Sequence, residues 1–479
     1  MLDLTAVVLA AGQGKRMRSR LAKVLHPIAG RPLLYYPVRA ALEAGAAEVV
    51  VVTSPGTREA VQEALREALP AAKLKLVVQD PPRGTGDATL VGLRAVLTER
   101  VMVLCGDTPL IQSVDLSSVH EALNHDPSLE LTLMTCNLEN PAGYGRVLRD
   151  DQGRPALIRE ERDLRSEAER RVHEVNAGVY AARTETLREA LSKIEPNNAQ
   201  GEYYLTDVVA LAAENKAVAS VLGSPEALIG VNDRSQLAVA EAALYQRIAE
   251  RHRLAGVTLR GTPQIDDAVE IGLDVTIEAN VSLRGATCIA AGARIDVGCV
   301  ITNSEIGVEA EIRPYCVVTE SRIGGGAVVG PFAHLRTGSH LDERSKVGNF
   351  VETKKTRLRR GAKANHLAYL GDGDVGEGAN IGAGTIFCNY DGYRKHQTTI
   401  GAGAFIGSDS QIIAPVNIGE DAYVATGTTV SRDVPADGLA ISRVKQQNKE
   451  GYAPRLKARL SAAARRDSFR PAPPSSKKS

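Results

Sequence analysis

Aliphatic residues recur at every sixth position through the second half of the chain. Ile265, Ile271, Ile277, Leu283, Ile289, Ile295 and Ile301 keep step. After a slip of one residue come Ile306, Ile312 and Val318, and after another Ile323, Val329, Leu335, Leu341 and Val347. The comb resumes as Val375, Ile381 and Phe387, then as Ile400, Ile406, Ile412, Ile418, Val424 and Val430, and glycine often follows the tooth, as in Ile381-Gly382. A helix repeats at about 3.6 residues and a lone strand at about 2, so neither gives this period. A parallel β-helix does: each short strand offers one aliphatic side chain to a stacked core, and small residues turn the corners. The spacing leaves the handedness open. Cys388–Thr399 interrupts the period and is predicted to loop out, where function tends to sit.

The first half has a different rhythm. Thr5–Ala10 reads as a buried strand, Arg31–Ala44 as a helix, Glu48–Thr53 as a strand and Thr57–Leu69 as a helix. Lys73–Gln79 is a strand, Thr85–Leu97 a helix and Val101–Leu104 a strand ending at Cys105-Gly106-Asp107. This alternation predicts a mostly parallel sheet covered on both faces, with ligands beyond the carboxyl ends of its strands. Arg234–Leu254 is a strong helical run between the halves, read as a connecting arm. The expected organisation is α/β: a Rossmann-like domain over 1–232, a helical arm over 233–256, a β-helix over 257–454, and a basic, Pro- and Ser-rich disordered tail over 455–479.

The 479 residues are 43% hydrophobic and 24% charged with a formal net charge of +1, which suits a soluble protein and gives no reason to expect a nucleic-acid partner. No apolar run is long enough for membrane insertion, and Asp3 without a basic n-region argues against a secretory signal. The six scattered cysteines form no CxxC pair, so free thiols in a reducing cytoplasm are expected rather than disulfides or zinc ligation.

Candidate chemistry begins where the first strand ends. Leu9-Ala10-Ala11-Gly12-Gln13-Gly14-Lys15-Arg16 leads through two glycines into two cations. Freed backbone N–H groups and the cations suit a triphosphate. Taken alone, the loop is equally a strand-to-helix turn with solvated charges, and it lacks the ending of a Walker loop. Asp107 alone reads better as a cap, and Glu160, in REERDLR, as part of a solvated face.

Order along the chain changes this. After the loop come Lys23, Gln79 before Gly84-Thr85-Gly86-Asp87, then Gly106-Asp107, Gly143-Tyr144-Gly145-Arg146, Glu160, Asn176 in EVNAG, and Asn232. In this order they resemble the sugar-1-phosphate nucleotidyltransferases. Together with NNAQGEYYLTD at 197–207 and the hexapeptide β-helix, they resemble the family of bifunctional enzymes that make UDP-N-acetylglucosamine, over nearly the whole chain from Thr5 to Gly451.

The resemblance implies a left-handed coil, a homotrimer with sites shared across subunits, and a cytoplasmic location. It implies two reactions: acetyl transfer from acetyl-CoA to glucosamine-1-phosphate, then Mg²⁺-dependent uridylyl transfer from UTP to N-acetylglucosamine-1-phosphate. The backbone of Leu9, Ala10, Ala11 and Gly12 would hold the uridine side of UTP, and Arg16 and Lys23 the phosphates. Gln79, Gly84 and Thr85 would read the uracil. Gly106 flanks Asp107, which with Asn232 would bind the metal. Glu160, Asn176 and the Gly145 backbone would hold the N-acetylglucosamine moiety.

On the β-helix, residues that break the pattern are informative. Arg336, Lys354, Lys355, His366 and Tyr369 cluster in sequence, and Asn380 opens NIGAGTIFCNYDG. A lone His in a β-rich region is more often structural than a base. The resemblance makes His366 the general base for the amine, and Arg336 and Lys354 the holders of the sugar phosphate. Tyr369 and Asn380 would contact sugar or oxyanion. Asn389, Tyr390 and Lys395 would close the site, and Ala383, Ser408, Thr426 and Arg443 would line the acetyl-CoA groove.

Four positions depart from the family pattern. Asp87 stands where His is usual, Cys105 where Tyr often precedes Gly-Asp, Ala22 where Pro is usual, and Thr426 where a smaller residue lines the groove. Cys105 would put an oxidisable thiol near the nucleotide. The rival readings are a monofunctional sugar-1-phosphate nucleotidyltransferase with a non-catalytic β-helix, and an oligomerisation scaffold. His366, Tyr369 and the NYDG loop speak against the first, and the Gly12–Arg16 loop with Asp107 and Asn232 against the second.

Overall fold

The computed structural model describes residues 4–12, 14–228 and 230–468, in two compact units divided between Phe350 and Val351. The first unit opens with a seven-strand path built from β1 (Leu4–Leu9), β2 (Glu48–Thr53), β3 (Leu74–Val78), β4 (Arg100–Cys105), β5 (Leu131–Asn137), β8 (Glu174–Arg183) and β9 (Val218–Leu222). Its spatial order is β9–β5–β8–β4–β1–β2–β3, and only β8 runs antiparallel to its neighbours. A hairpin, β6 (Arg146–Arg149) and β7 (Pro155–Arg159), hangs off β8. Val49–Val52 are fully buried, as expected of a strand covered on both faces.

Helices α1 (Tyr35–Glu43), α2 (Arg58–Ala68), α3 (Thr85–Leu93) and α4 (Ser113–His125) supply the cover. The first predicted helix starts late. Pro27–Ile28 pairs with Arg31–Pro32 around an Ala29-Gly30 turn with φ of 44° and 77°, and this hairpin takes residues the apolar pattern assigned to the helix. The third ends at Leu93 rather than Leu97, whose side chain is exposed. Strands β1 and β4 end side by side, with Leu9 opposite Cys105, so the loops after both open onto one place.

The arm, α5 (Arg234–Leu254), has the predicted bounds. Asp233 caps it, accepting the Gln236 N–H at 2.9 Å. Gly256, at φ +91°, then turns the chain into the coils. Partners on successive coils lie 18 residues apart, as in Ile265↔Leu283 and Ile277↔Ile295, and the slips shorten this step, as in Ile289↔Ile306. Three strands make each coil, because Thr258–Leu259, Gln264–Ile265 and Glu270–Ile271 precede the strand that stacks on the first.

Each hexapeptide points two residues inward. The aliphatic tooth is one, and two places before it sits a smaller buried residue such as Ala293, Cys299, Ala310 or Cys316. At one set of corners Tyr315, Phe332 and Phe350 take positive φ and stack outward, rings parallel and 5.5 Å apart.

The second unit continues the pattern where the comb was lost to view. Leu358 and Ala364 are teeth, paired with Val375 and Ile381, and Thr353 and Leu370 are fully buried. Thr and Ala at tooth positions hid the period. The predicted loop is present: Ile381 pairs with Ile406, and Phe387 with Ile412, 25 residues on. Glycine after a tooth has a steric cause. A Cβ on Gly382 would lie 2.6 Å from the Ile406 carbonyl oxygen and the Ser408 nitrogen of the next coil.

The tail needs correction. Tyr452–Ser468 is an α-helix, where the tail from 455 was expected to be disordered. Its Ala, Leu, Arg and Lys content gives high helix propensity, which outweighs its basic character. Residues 469–479, with the Pro-rich end, lie outside the described residues.

Candidate functional site

A cavity of about 610 Å³ opens over the carboxyl ends of β1 and β4. Its lining includes eleven of the residues predicted for the nucleotide: Leu9, Ala10, Ala11, Gly12, Arg16, Lys23, Gln79, Gly84, Thr85, Asp107 and Asn232. They come from four stretches of the chain: 9–23, 79–85, 107 and 232. Gly106 places Asp107, its N–H donating to the Leu9 carbonyl at 2.9 Å, and a Cβ there would strike that same oxygen. The Asp107 carbonyl accepts the Val231 N–H at 2.9 Å, which brings in the neighbouring Asn232.

Asp107 and Asn232 aim oxygens at one cation. The Lys23 ammonium is ion-paired with Asp107 Oδ2 and lies 3.2 Å from Asn232 Oδ1, which also accepts Arg16 Nη2 at 2.9 Å. Two hard oxygens already converging on a positive charge fit a Mg²⁺ site completed by water and phosphate.

Beside them Gln79, almost fully buried, donates from Nε2 to the Gly84 carbonyl at 3.0 Å and to Asp87 Oδ2 at 2.7 Å. Gly84 takes φ +111° against the Tyr203 backbone, and Thr85 Oγ1 accepts the Leu205 N–H at 3.0 Å. The NNAQGEYYLTD segment thus braces the Gly84-Thr85 turn.

Gly145, Glu160 and Asn176 do not line this cavity, but they meet one another. The Asn176 N–H donates to the Gly145 carbonyl at 2.9 Å, and a Cβ on Gly145 would lie 3.2 Å from Glu160 Oε1. A bulge after Asn176, with Gly178 at φ +70°, lets Asn176 Oδ1 accept the Gly178 N–H at 3.0 Å. Gly178 faces the Cys105 sulfur, which lines the cavity, so the group adjoins the nucleotide end. Burial raises the Glu160 carboxyl above its ordinary range, and Asp163 and Asp207 add to this against the Thr206 hydroxyl bond of 3.2 Å. Half-buried and held by the Thr206 hydroxyl, Glu160 departs from the solvated face expected of its charged run. Burial, then Asp107, pushes the Cys105 thiol up to about 12, which keeps it protonated and lowers its reactivity.

In the second unit the predicted residues form a column. Ala364, Ile381, Ile406 and Val424 are paired teeth on four successive coils. Two places after each stand His366, Ala383, Ser408 and Thr426. Arg443 closes the column, its Nη1 donating to the Thr426 carbonyl at 2.7 Å. His366, Ser408, Thr426 and Arg443 are exposed and Ala383 half-buried.

The Asn389 amide donates to Asp372 Oδ2 at 2.5 Å, and the Asp372 N–H donates to the Lys354 carbonyl at 2.9 Å. A Cβ on Gly371 would meet both the Tyr369 hydroxyl and Asn389 Nδ2 at 2.6 Å, so these side chains flank one glycine. Asn380 is half-buried on the strand between Lys363 and Phe405. In the extruded loop Tyr390 bridges to Lys395, and His396 holds Asp391 at 2.7 Å, lowering that carboxyl to about 2. Arg336 belongs to the first unit, where its carbonyl accepts the Ser339 hydroxyl at 2.6 Å.

Some lining residues escaped the sequence reading. Val24, Pro82, Ala88 and Glu202 face the nucleotide cavity. Only Glu202 carried a signal, through its place in NNAQGEYYLTD. Among the described residues no helix is long and apolar enough to cross a membrane.

Comparison with known proteins agrees with this geometry. The MobA-like NTP transferase domain family matches residues 6–174, and the bacterial transferase hexapeptide family, of six repeats, matches residues 397–432. Bifunctional protein GlmU of Sorangium cellulosum is 55% identical over 97% of this chain and 98% of its own length. The proteins of that name from Anaeromyxobacter dehalogenans strain 2CP-1 and Geobacter sulfurreducens are 50% and 43% identical, over 95% and 94% of this chain and 93% and 98% of their own lengths. With this identity along nearly its whole length, the chain belongs to the GlmU family of bifunctional proteins.

Proposed function

We propose that this chain builds UDP-N-acetylglucosamine in two steps. The β-helix transfers acetyl from acetyl-CoA to glucosamine-1-phosphate, and the N-terminal site then transfers uridylyl from UTP to the product. The observation that carries the bifunctional reading is the exposed column headed by His366 and continued by Ala383, Ser408 and Thr426. A coil that served only as scaffold has no use for a histidine in line with a groove of small and hydroxyl residues.

In the first step the amine of glucosamine-1-phosphate attacks the thioester carbonyl. The amine loses a proton to His366 as the C–N bond forms, and coenzyme A leaves as the thiol. Arg336 and Lys354 hold the sugar phosphate, Arg as a fork and Lys as a point charge. Tyr369 and Asn380 contact the sugar or the developing oxyanion, and Asn389, Tyr390 and Lys395 close over it. The CoA chain runs along Ala383, Ser408, Thr426 and Arg443.

In the second step a phosphate oxygen of N-acetylglucosamine-1-phosphate attacks the α-phosphorus of UTP, and pyrophosphate leaves. Two anions must meet, so charge neutralisation and alignment carry the rate. Lys15, Arg16 and Lys23 surround the phosphates. Mg²⁺ held by Asp107 and Asn232 would neutralise further charge there. Lys23 holds both of those oxygens and lines the same cavity, so it stands beside both the metal ligands and the phosphates. Leu9–Gly12 hold the uridine, and Glu160, Asn176 and Gly145 the N-acetylglucosamine.

The working domains are 1–232, 233–256 and 257–454. A homotrimer in the cytoplasm completes the proposal. The stacked, exposed Tyr315, Phe332 and Phe350 ladder offers apolar surface to a neighbouring coil, and free rather than paired cysteines suit a reducing compartment.

One mass-spectrometric time course tests this. The protein is given glucosamine-1-phosphate, acetyl-CoA, UTP and Mg²⁺. N-acetylglucosamine-1-phosphate is expected first and UDP-N-acetylglucosamine second. If supplied N-acetylglucosamine-1-phosphate is uridylylated while glucosamine-1-phosphate is never acetylated, the β-helix is a scaffold and the role of His366 falls.

A further inference from the structure

The hydrogen bonds of Gln79 leave it one free atom. Its two Nε2 hydrogens go to the Gly84 carbonyl and to Asp87 Oδ2, at 3.0 and 2.7 Å. A backbone carbonyl is acceptor-only, and so is an ionised carboxylate. Turning the amide over would set Oε1 against both of them. The orientation of this buried amide is therefore fixed by its partners. Among the described residues nothing donates to Oε1, and Gln79 lines the nucleotide cavity. What Gln79 offers a ligand is an acceptor and no donor.

Asp87 is well placed to impose this. It sits in the first turn of α3, where a negative charge suits the helix N-terminus. It does not line the cavity, so it acts through Gln79 rather than on a ligand. The helix-end preference alone would account for an acid here. It does not account for the carboxylate being spent on Gln79.

We propose that Asp87 is a positioning residue that sets pyrimidine specificity, by locking Gln79 so that only its carbonyl oxygen faces the base. Uracil presents N3–H, a donor, which this oxygen accepts. Cytosine presents an unprotonated N3, an acceptor, so the two lone pairs oppose each other. Thymine has the uracil edge and is not rejected by this device. The inference rests on the reading of the cavity as a UTP site and adds how that site refuses CTP.

The test measures kcat/KM for UTP and for CTP with the full-length protein, its Asp87→Asn variant and its Asp87→Ala variant. Asparagine still presents an acceptor oxygen, so D87N is expected to keep most of the UTP preference. D87A frees one amide hydrogen and lets Gln79 turn, so the UTP-to-CTP ratio is expected to fall on the order of tenfold. A merely structural role would lower both substrates together and leave the ratio alone. If D87A turns over UTP with the wild-type ratio, the inference is wrong while the UTP site stands. If the wild-type protein uses no UTP at all, the underlying reading fails instead. Unchanged circular dichroism and melting temperature report that the variants are folded. Should D87A not fold, 3-methyl-UTP, which lacks the N3 hydrogen, decides with wild-type protein. Discrimination against it as strong as against CTP supports the acceptor, and equal use of UTP and 3-methyl-UTP overturns it.

Discussion

The two candidate sites are assembled in opposite ways. The nucleotide cavity draws on loops from Leu9 to Asn232, which only the order of strands in the sheet brings to one place. Its polar groups already hold one another: Lys23 on Asp107, Arg16 on Asn232, Gln79 on Asp87. The column headed by His366 draws on one corner of a repeating coil, and its members, exposed except for the half-buried Ala383, stand at a fixed offset from paired teeth. A folded α/β sheet makes a site by convergence, whereas a β-helix makes one by translation. The first is preorganised by mutual pairing, and the second by the rigidity of the stack beneath it.

If the two sites are separate machines, single substitutions should silence them one at a time. His366→Ala is expected to lower acetyl transfer by roughly 10²–10⁴-fold and leave uridylyl transfer nearly intact. Equal loss of both activities would sink the two-site division. Asp107→Ala removes the carboxylate ion-paired with the Lys23 ammonium. It is expected to lower uridylyl transfer by roughly 10²–10³-fold and spare acetylation. Pyrophosphate release at the wild-type rate would show that the metal sits elsewhere.

The contrast also governs what the sequence made legible. The β-helix was read directly, because a period of six has one physical solution and every tooth landed on a buried position or at a half-buried end such as Ile271. Between Val347 and Val375 the comb is hidden where Thr353 and Ala364 replace larger teeth, since position rather than bulk defines the repeat. The cavity was read by the order of its motifs. No spacing rule says that Asn232 meets Lys23. Apolar lining is not legible in the sequence: Val24, Pro82 and Ala88 carry no chemical signature, and Glu160 reads as solvated among its charged neighbours. The tail helix is hidden in the sequence because its charge and the adjoining Pro-Ser stretch signal disorder more loudly than its local propensity signals helix.

Translation has a cost that convergence does not: damage to one coil passes to its neighbours. Phe387 is fully buried, directly before the extruded loop, and a Cβ on Gly373 would lie 2.6 Å from its ring. Phe387→Ala is expected to destabilise the stack by about 3–5 kcal/mol. Heating the variant should therefore abolish acetyl transfer well before uridylyl transfer, with both followed on the same samples. Coincident loss would mean that the two activities share one cooperative unit.

The smallest expected effect probes preorganisation at the nucleotide end. Burial raises the Glu160 carboxyl above its ordinary range, so between the unfolded and folded values the native protein binds more proton than the unfolded chain. Stability from this group is therefore present in acid and is lost as pH rises through that window. Ionising this half-buried carboxylate costs stability, and a sugar hydroxyl that donates to it would offset that cost. Glu160→Gln removes the charge. The free variant is expected to melt slightly higher than wild type at pH 7–8, and the difference should fade as pH falls below the ordinary glutamate range. The same variant should show a raised KM for N-acetylglucosamine-1-phosphate, because the amide is a weaker acceptor. A melting difference that persists in acid would place its origin in packing rather than charge. An unchanged KM would remove Glu160 from the sugar pocket, and the nucleotide site would then be less preorganised than its paired charges imply.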